Sequence, residues 1–141
     1  MLTGDIQGLF TLAARLKSSD GLLLKTSQKC AAEFSKMVEA NFAAGRDPYG
    51  SGWAALAPST RARGRTPPAL TDTGRMRWSS RVFGEATRIL FEIDSPAVFH
   101  QFGTGRMPAR PIYPIDGLPD SWRDLITRVA RETVTDHFTG K

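Results

Sequence analysis

Apolar positions recur at helical spacing toward both ends of the chain and alternate like a strand in the middle. From Asp5 to Lys17, Ile6, Leu9, Phe10, Leu12, Ala13 and Leu16 trace one helical face. Ser18, Ser19, Asp20 and Gly21 interrupt it, and Ser19 or Asp20 is a candidate cap for a second helix over 21–44. Leu23, Cys30, Phe34, Met37, Val38, Asn41 and Phe42 share a face of that helix, while Lys25, Lys29, Glu33 and Lys36 fall mostly elsewhere. Gly45 is suited to stop it, because glycine enters the left-handed conformation freely. The two segments predict an N-terminal helical hairpin.

Farther on, Met76, Trp78, Ser80 and Val82 alternate with Arg77, Ser79 and Arg81, which predicts a half-exposed strand. Gly84-Glu85 supplies a turn, and the run from Thr87 to Asp94 is rich in strand formers, so the pair predicts a β-hairpin. Ser95-Pro96 opens a short helical turn through Ala97, Val98 and Phe99. Residues 112–115 predict a short third strand at the sheet edge, where proline is tolerated. The last element is a helix over 119–138. Its stripe is Trp122, Leu125, Ile126, Val129, Ala130, Val134, His137 and Phe138. Asp120 and Asp124 near its start suit the helix dipole.

These elements predict an α+β fold in one domain, 1–141: a helical hairpin over 1–44, a basic Pro/Gly-rich loop over 45–70, and over 71–141 the β-hairpin, a loop and a C-terminal helix packed on the sheet. A length of 141 residues suffices for a real core. Trp53, Trp78 and Trp122 occupy apolar-pattern positions and are the expected core anchors. Trp53 and Leu56 pin the first half of the long loop. Arg61-Ala62-Arg63-Gly64-Arg65 has no apolar anchor and reads as mobile in isolation.

Composition narrows the function. No stretch of about 18 apolar residues exists, so no membrane span is expected. The opening residues lack the cationic region and cleavage site of a signal peptide. The single cysteine, Cys30, cannot form an intramolecular disulfide, fits a reducing compartment, and lies on an apolar helix face as a core thiol. The net charge of +5 is concentrated: residues 46–81 hold seven arginines against two aspartates, and the remainder is balanced. That segment is a cationic arm suited to an acidic partner, protein or nucleic acid, with a merely solvated surface as the plainer reading.

Signs of catalysis are sparse. The chain has no Walker loop and no nucleophile elbow, and Gly103-x-Gly105 meets Pro108 where a dinucleotide fingerprint needs glycine. One cysteine and two distant histidines, His100 and His137, lack zinc-ligand spacing. A Cys30–His100 nucleophilic pair is conceivable but would draw on a core-facing thiol. Glu85, Glu92 and Asp94 supply carboxylates, Glu92 and Asp94 on one expected strand face, that strand-edge protection explains equally. The chain is therefore expected not to be an enzyme and to need no cofactor or metal. A small enzyme with an unrecognised site is the weakest rival. The arginine cluster sustains the alternative of a non-specific nucleic-acid-binding module, although aromatics for stacking are missing at 61–65.

The most informative stretch is His100-Gln-Phe-Gly-Thr-Gly-Arg-Met-Pro-Ala-Arg-Pro111. Pro108 and Pro111 fix φ and donate no hydrogen bond, so this reads as a rigid loop presenting Arg106 and Arg110. The His-Gln-aromatic-Gly run followed by Pro-Ala-Arg-Pro resembles the signature of the phage virion morphogenesis, or tail completion, family. Two further blocks share the resemblance in order: Pro48, Gly50, Gly52, Trp53 and Leu56 after Asn41-Phe42-Ala43-Ala44, and Leu70 with Thr73-Gly74 and Met76. The family often continues with Phe-Leu-Gly where this chain has Ile112-Tyr113-Pro114.

The resemblance implies a structural protein of a phage or prophage virion. It would complete the tail or the head–tail neck as a ring, with a hexamer as the expected form, made in host cytoplasm and ending in the virion. Its partners would be copies of itself and tail or neck proteins, with no membrane and DNA at most non-specifically. Arg61, Arg63, Arg65, Arg75, Arg77, His100, Gln101, Arg106 and Arg110 are then the candidate interface residues. For His100 two roles stay open, a subunit contact or a brace for loop backbone. Arg110 is either an interface salt-bridge partner or a brace of its own fold.

Overall fold

The computed structural model describes Ala14 and residues 18–71, 73–85 and 88–141. The expected first helix over 5–17 thus lies outside the described residues, apart from Ala14. The mixed helix-and-sheet class is as expected.

A 3-10 turn, Ser18–Gly21, leads into the long helix α1, Leu22–Ala44. Gly21, with no side-chain cap, holds the position expected of Ser19 or Asp20. Gly45 ends the helix at φ 64, as its sequence position predicts. Ser27, Cys30, Ala31, Phe34, Val38, Asn41 and Phe42 are buried at spacings of three and four, one stripe of an amphipathic helix. Leu23 is in phase with that stripe yet 59% exposed. It lies a turn beyond Ser27, where the sheet meets the helix.

The sheet is one antiparallel hairpin of β1, Arg81–Glu85, and β2, Arg88–Glu92, with Arg81 opposite Glu92 and Glu85 opposite Arg88. Gly84 is where it touches α1. A Cβ added there would lie 2.3 Å from the Ser27 carbonyl carbon and 2.4 Å from the Gln28 nitrogen, so only glycine allows this approach. Gly84 and Glu85 belong to the strand rather than to the expected turn; the connection at 86–87 lies outside the described residues.

Two short helices precede the sheet. The Pro/Gly-rich loop contains α2, Pro58–Ala62, with proline in its first turn. Where alternation predicts a strand from Met76, the chain forms α3, Arg75–Ser79, and extends only from Ser80 onward. Seven alternating residues are too few to exclude a helical turn, and the Ser79 and Ser80 hydroxyls both hold the Met76 carbonyl, which favours it. Trp78 consequently points outward at 76% exposure and is not a core anchor.

After β2, helix α4, Ser95–Phe102, carries His100 and Gln101 within its last turn rather than in a loop. Residues 112–115 form no strand, because Gln101 takes the sheet's place. Its Oε1 accepts from the nitrogens of Ile112 (2.7 Å) and Tyr113 (3.0 Å), and its Nε2 donates to the Tyr113 carbonyl at 2.7 Å. Pro111 and Pro114 on either side have no N–H for a ladder. Helix α5, Asp120–Thr139, closes the fold over α1. Trp122 and Val129 of its expected stripe are buried, whereas Val134 is exposed and Thr133 lies fully inside, bonded to the Val129 carbonyl.

The core is aromatic at its centre. Trp122 stacks on Phe34 with ring centroids 4.4 Å apart, and Phe91 packs between Trp122 (5.9 Å) and Tyr113 (4.9 Å). The Tyr113 hydroxyl donates to the Glu92 carbonyl at 2.8 Å and lies 3.3 Å from that of Arg81, tying both strands to the 112–113 segment. Burial pushes this phenol up to about 12. Cys30 is buried in the same cluster, and burial raises its thiol pKa, as expected of an inert core cysteine.

Candidate functional site

Two loops far apart in sequence are stapled to one another. Trp53 packs edge-on against Phe42 at 5.4 Å, and its Nε1 donates to the Pro111 carbonyl at 2.9 Å. In return Arg110 Nε donates to the Ala54 carbonyl at 2.8 Å and Nη2 to the Ala55 carbonyl at 3.0 Å. Arg110 is 5% exposed, and its backbone nitrogen donates to the His100 carbonyl at 2.6 Å. The planar fork meets two successive carbonyls, a geometry that lysine would not reproduce. The expected carboxylate partner is therefore replaced by backbone of the same chain.

A second staple runs parallel to it. Asp47 Oδ1 accepts from the nitrogens of Tyr49 and Ser51, both at 2.9 Å, fixing a tight turn. Tyr49 then donates its hydroxyl to the Gly117 carbonyl at 2.8 Å and accepts from the nitrogens of Ile115 and Asp116. Pattern reading alone offers no signal for Tyr49, whose role is a hydrogen bond across 68 residues.

Arg110 of the staple also lines a cleft of about 390 Å³. Leu56 comes from the first loop. Leu70, Arg75 and Met76 come from the segment leading into α3, and His100 and Arg110 from the end of α4 and the loop after it. Leu70 sits at φ 68, a left-handed conformation that costs a branched side chain of this kind roughly 1–2 kcal/mol and that nothing in its sequence signals. Three separated sequence blocks thus converge on one concave surface.

Thr60, Thr66, Thr73 and Ser79 add hydroxyls to that surface, beside its charged groups. His100 Nδ1 is buried without a hydrogen-bond partner. Burial first, and the Arg110 charge second, hold the His100 pKa below the usual imidazole range, so the ring is neutral at pH 7. At the rim, Arg75 stands 3.9 Å from Asp94, both partly exposed. Arg65 also lines the opening.

The other candidates scatter. Arg77 is paired with Glu39 of α1, which raises the arginine pKa and lowers that of the glutamate through their hydrogen bond. Arg61, Arg63 and Arg106 are exposed on the surface. Gln101 is buried and committed to backbone. Glu92 and Asp94 do not share a strand, since Asp94 precedes α4 as its N-cap residue. Cys30 lies in the core and His100 at the cleft, and no cluster of three or more metal-ligating side chains occurs among the described residues. On the solvent side of α4, Val98, Phe99 and Phe102 form an exposed apolar stripe at spacings of one, three and four. No described helix is long and apolar enough to cross a membrane.

A model of the phage virion morphogenesis family matches residues 5–134 of this chain. No curated protein and no solved structure matches it.

Proposed function

The chain belongs to the phage virion morphogenesis family, and from that membership we propose that it is a ring-forming subunit that completes the tail or the head–tail neck. The family's work is virion assembly, which argues against catalysis. The observation that carries the reading is the convergence of the three blocks: Leu56 from the loop after Trp53, the Leu70–Met76 segment, and His100 with Arg110 line one cleft, and the Trp53 and Arg110 bonds staple two of these blocks together.

Two further features support it. Val98, Phe99 and Phe102 present an apolar stripe to solvent, as a subunit does where another protein covers it. Arg61, Arg63 and Arg106 extend beyond the core on exposed segments, suited to acidic neighbours. Of the remaining arginines in the cationic arm, Arg46, Arg75 and Arg77 already meet side chains of their own chain, which weakens the nucleic-acid alternative.

Complementation tests this reading. A phage lacking the gene for this chain should form heads and tails that fail to mature, and Phe99→Ser with Phe102→Ser should restore neither joining nor infectivity while leaving the melting temperature unchanged. Normal particles from that double variant would remove the stripe from assembly. Normal particles from the deletion itself would overturn the proposal.

A further inference from the structure

Arg110, which lines the cleft, is a buried cation with no carboxylate partner among the described residues. Arg110 engages Nε and Nη2 with the chain's own carbonyls, and Nη1 makes no hydrogen bond among the described residues. His100 lines the cleft, with its Nδ1 buried and without a hydrogen-bond partner. Arg110 and His100 are held side by side by the Arg110 N to His100 O bond of 2.6 Å. Among the described residues Arg65, Arg75, Asp94 and Arg110 also line the cleft, with Arg75 3.9 Å from Asp94. Leu56, Leu70 and Met76 give it apolar walls.

We infer that this cleft is a docking site for an extended acidic peptide segment of a neighbouring virion protein, whose glutamate or aspartate carboxylate is received by Arg110 Nη1 beside His100 while a flanking aliphatic side chain packs on Leu56, Leu70 and Met76. Charge complementarity selects the occupant. A carboxylate supplies an acceptor for Arg110 Nη1, and the buried Arg110 charge, which has no carboxylate partner among the described residues, disfavours a basic segment. The apolar walls select a peptide over a nucleic-acid backbone, because a phosphodiester brings no aliphatic group to cover them. A volume of about 390 Å³ admits a few side chains, not a folded domain. The inference rests on the assembly reading only for the source of the peptide; the cleft's chemistry is tested without it.

The test uses the full chain and two probes, N-acetyl-Leu-Glu-Leu-amide and its Gln counterpart, followed through the histidine ring resonances with His137→Gln to leave one signal. The Glu peptide is expected to perturb His100 and raise its pKa, since a bound anion opposes the burial and the Arg110 charge that lower it. The Gln peptide is expected to bind at least about tenfold more weakly, a difference of about 1.4 kcal/mol. Arg110→Ala would also break the loop staple, so Arg75→Glu is the informative variant. It lies at the exposed rim and should weaken the Glu peptide several-fold without changing the melt. Equal binding of the two peptides, or an unmoved His100 signal, would overturn the inference. So would tighter competition at His100 by a short DNA duplex than by the Glu peptide. Failure of complementation with intact peptide binding would instead count against the assembly reading alone.

Discussion

Replacing Arg110 by alanine should destabilise the folded chain before it affects anything outside it. The side chain is 5% exposed and gives two hydrogen bonds, to the Ala54 carbonyl at 2.8 Å and the Ala55 carbonyl at 3.0 Å. A bond from an ionised donor contributes about 1.5–3 kcal/mol. Ala54 and Ala55 are themselves exposed, so water takes over part of the lost partnership, and the sum falls toward the low end. The expected loss is about 2–4 kcal/mol, or a melting temperature lower by roughly 10 °C for a chain of this size. Arg110→Lys keeps the charge but not the fork, and should lose about half as much. A thermal melt by circular dichroism gives the magnitude, and amide exchange at 54–56 should accelerate ahead of global unfolding. A melt within about 2 °C of wild type would refute the staple. It would return Arg110 to the purely external role that its place between prolines suggests.

Trp122→Ala removes the ring stacked on Phe34 at 4.4 Å and should cost about 3–5 kcal/mol in chemical denaturation; an unchanged midpoint would contradict its place at the core centre. Gly84→Ala forces a Cβ into the backbone of Ser27 and Gln28 and should lower stability by about 1–3 kcal/mol or more, whereas an equally stable variant would mean that hairpin and helix do not touch there. The Tyr113 phenol is raised from 10.0 to about 12 by burial, so its contribution is complete below pH 10 and lost as pH climbs through the folded value. Tyr113→Phe should therefore flatten the alkaline fall in stability, and an identical alkaline profile would refute the assignment. His100 has the opposite sign. Its folded pKa lies below 6.5, so stability present above that pH declines as pH falls, and His100→Gln should reduce that decline.

How legible the fold was depended on the length of each pattern. The helices over 22–44 and 120–139 carry their apolar stripes through several turns, and their ends fall within a residue or two of the sequence reading. Short patterns misled. Met76 to Val82 alternates, yet Ser79 and Ser80 cap a helical turn there and Trp78 turns outward. Residues 112–115 look like a strand because a side chain, Gln101, supplies the hydrogen bonds that a neighbouring strand would. Of the cleft, the sequence displayed its blocks but not their meeting. The Trp53–Pro111 and Arg110–Ala54 bonds join residues more than 50 positions apart, and no local pattern encodes such a pairing. Leu70 at φ 68 is a position where glycine or asparagine would have announced the turn.

The mass of the purified chain in solution, alone and after addition of tail components, tests the central claim most directly. One chain weighs 15.5 kDa. The account predicts a closed multiple of that mass, formed alone or on contact with the tail, and lost when Phe99 and Phe102 are both replaced by serine. A mass of 15.5 kDa in every condition, with no chain recovered on the tail, would contradict it.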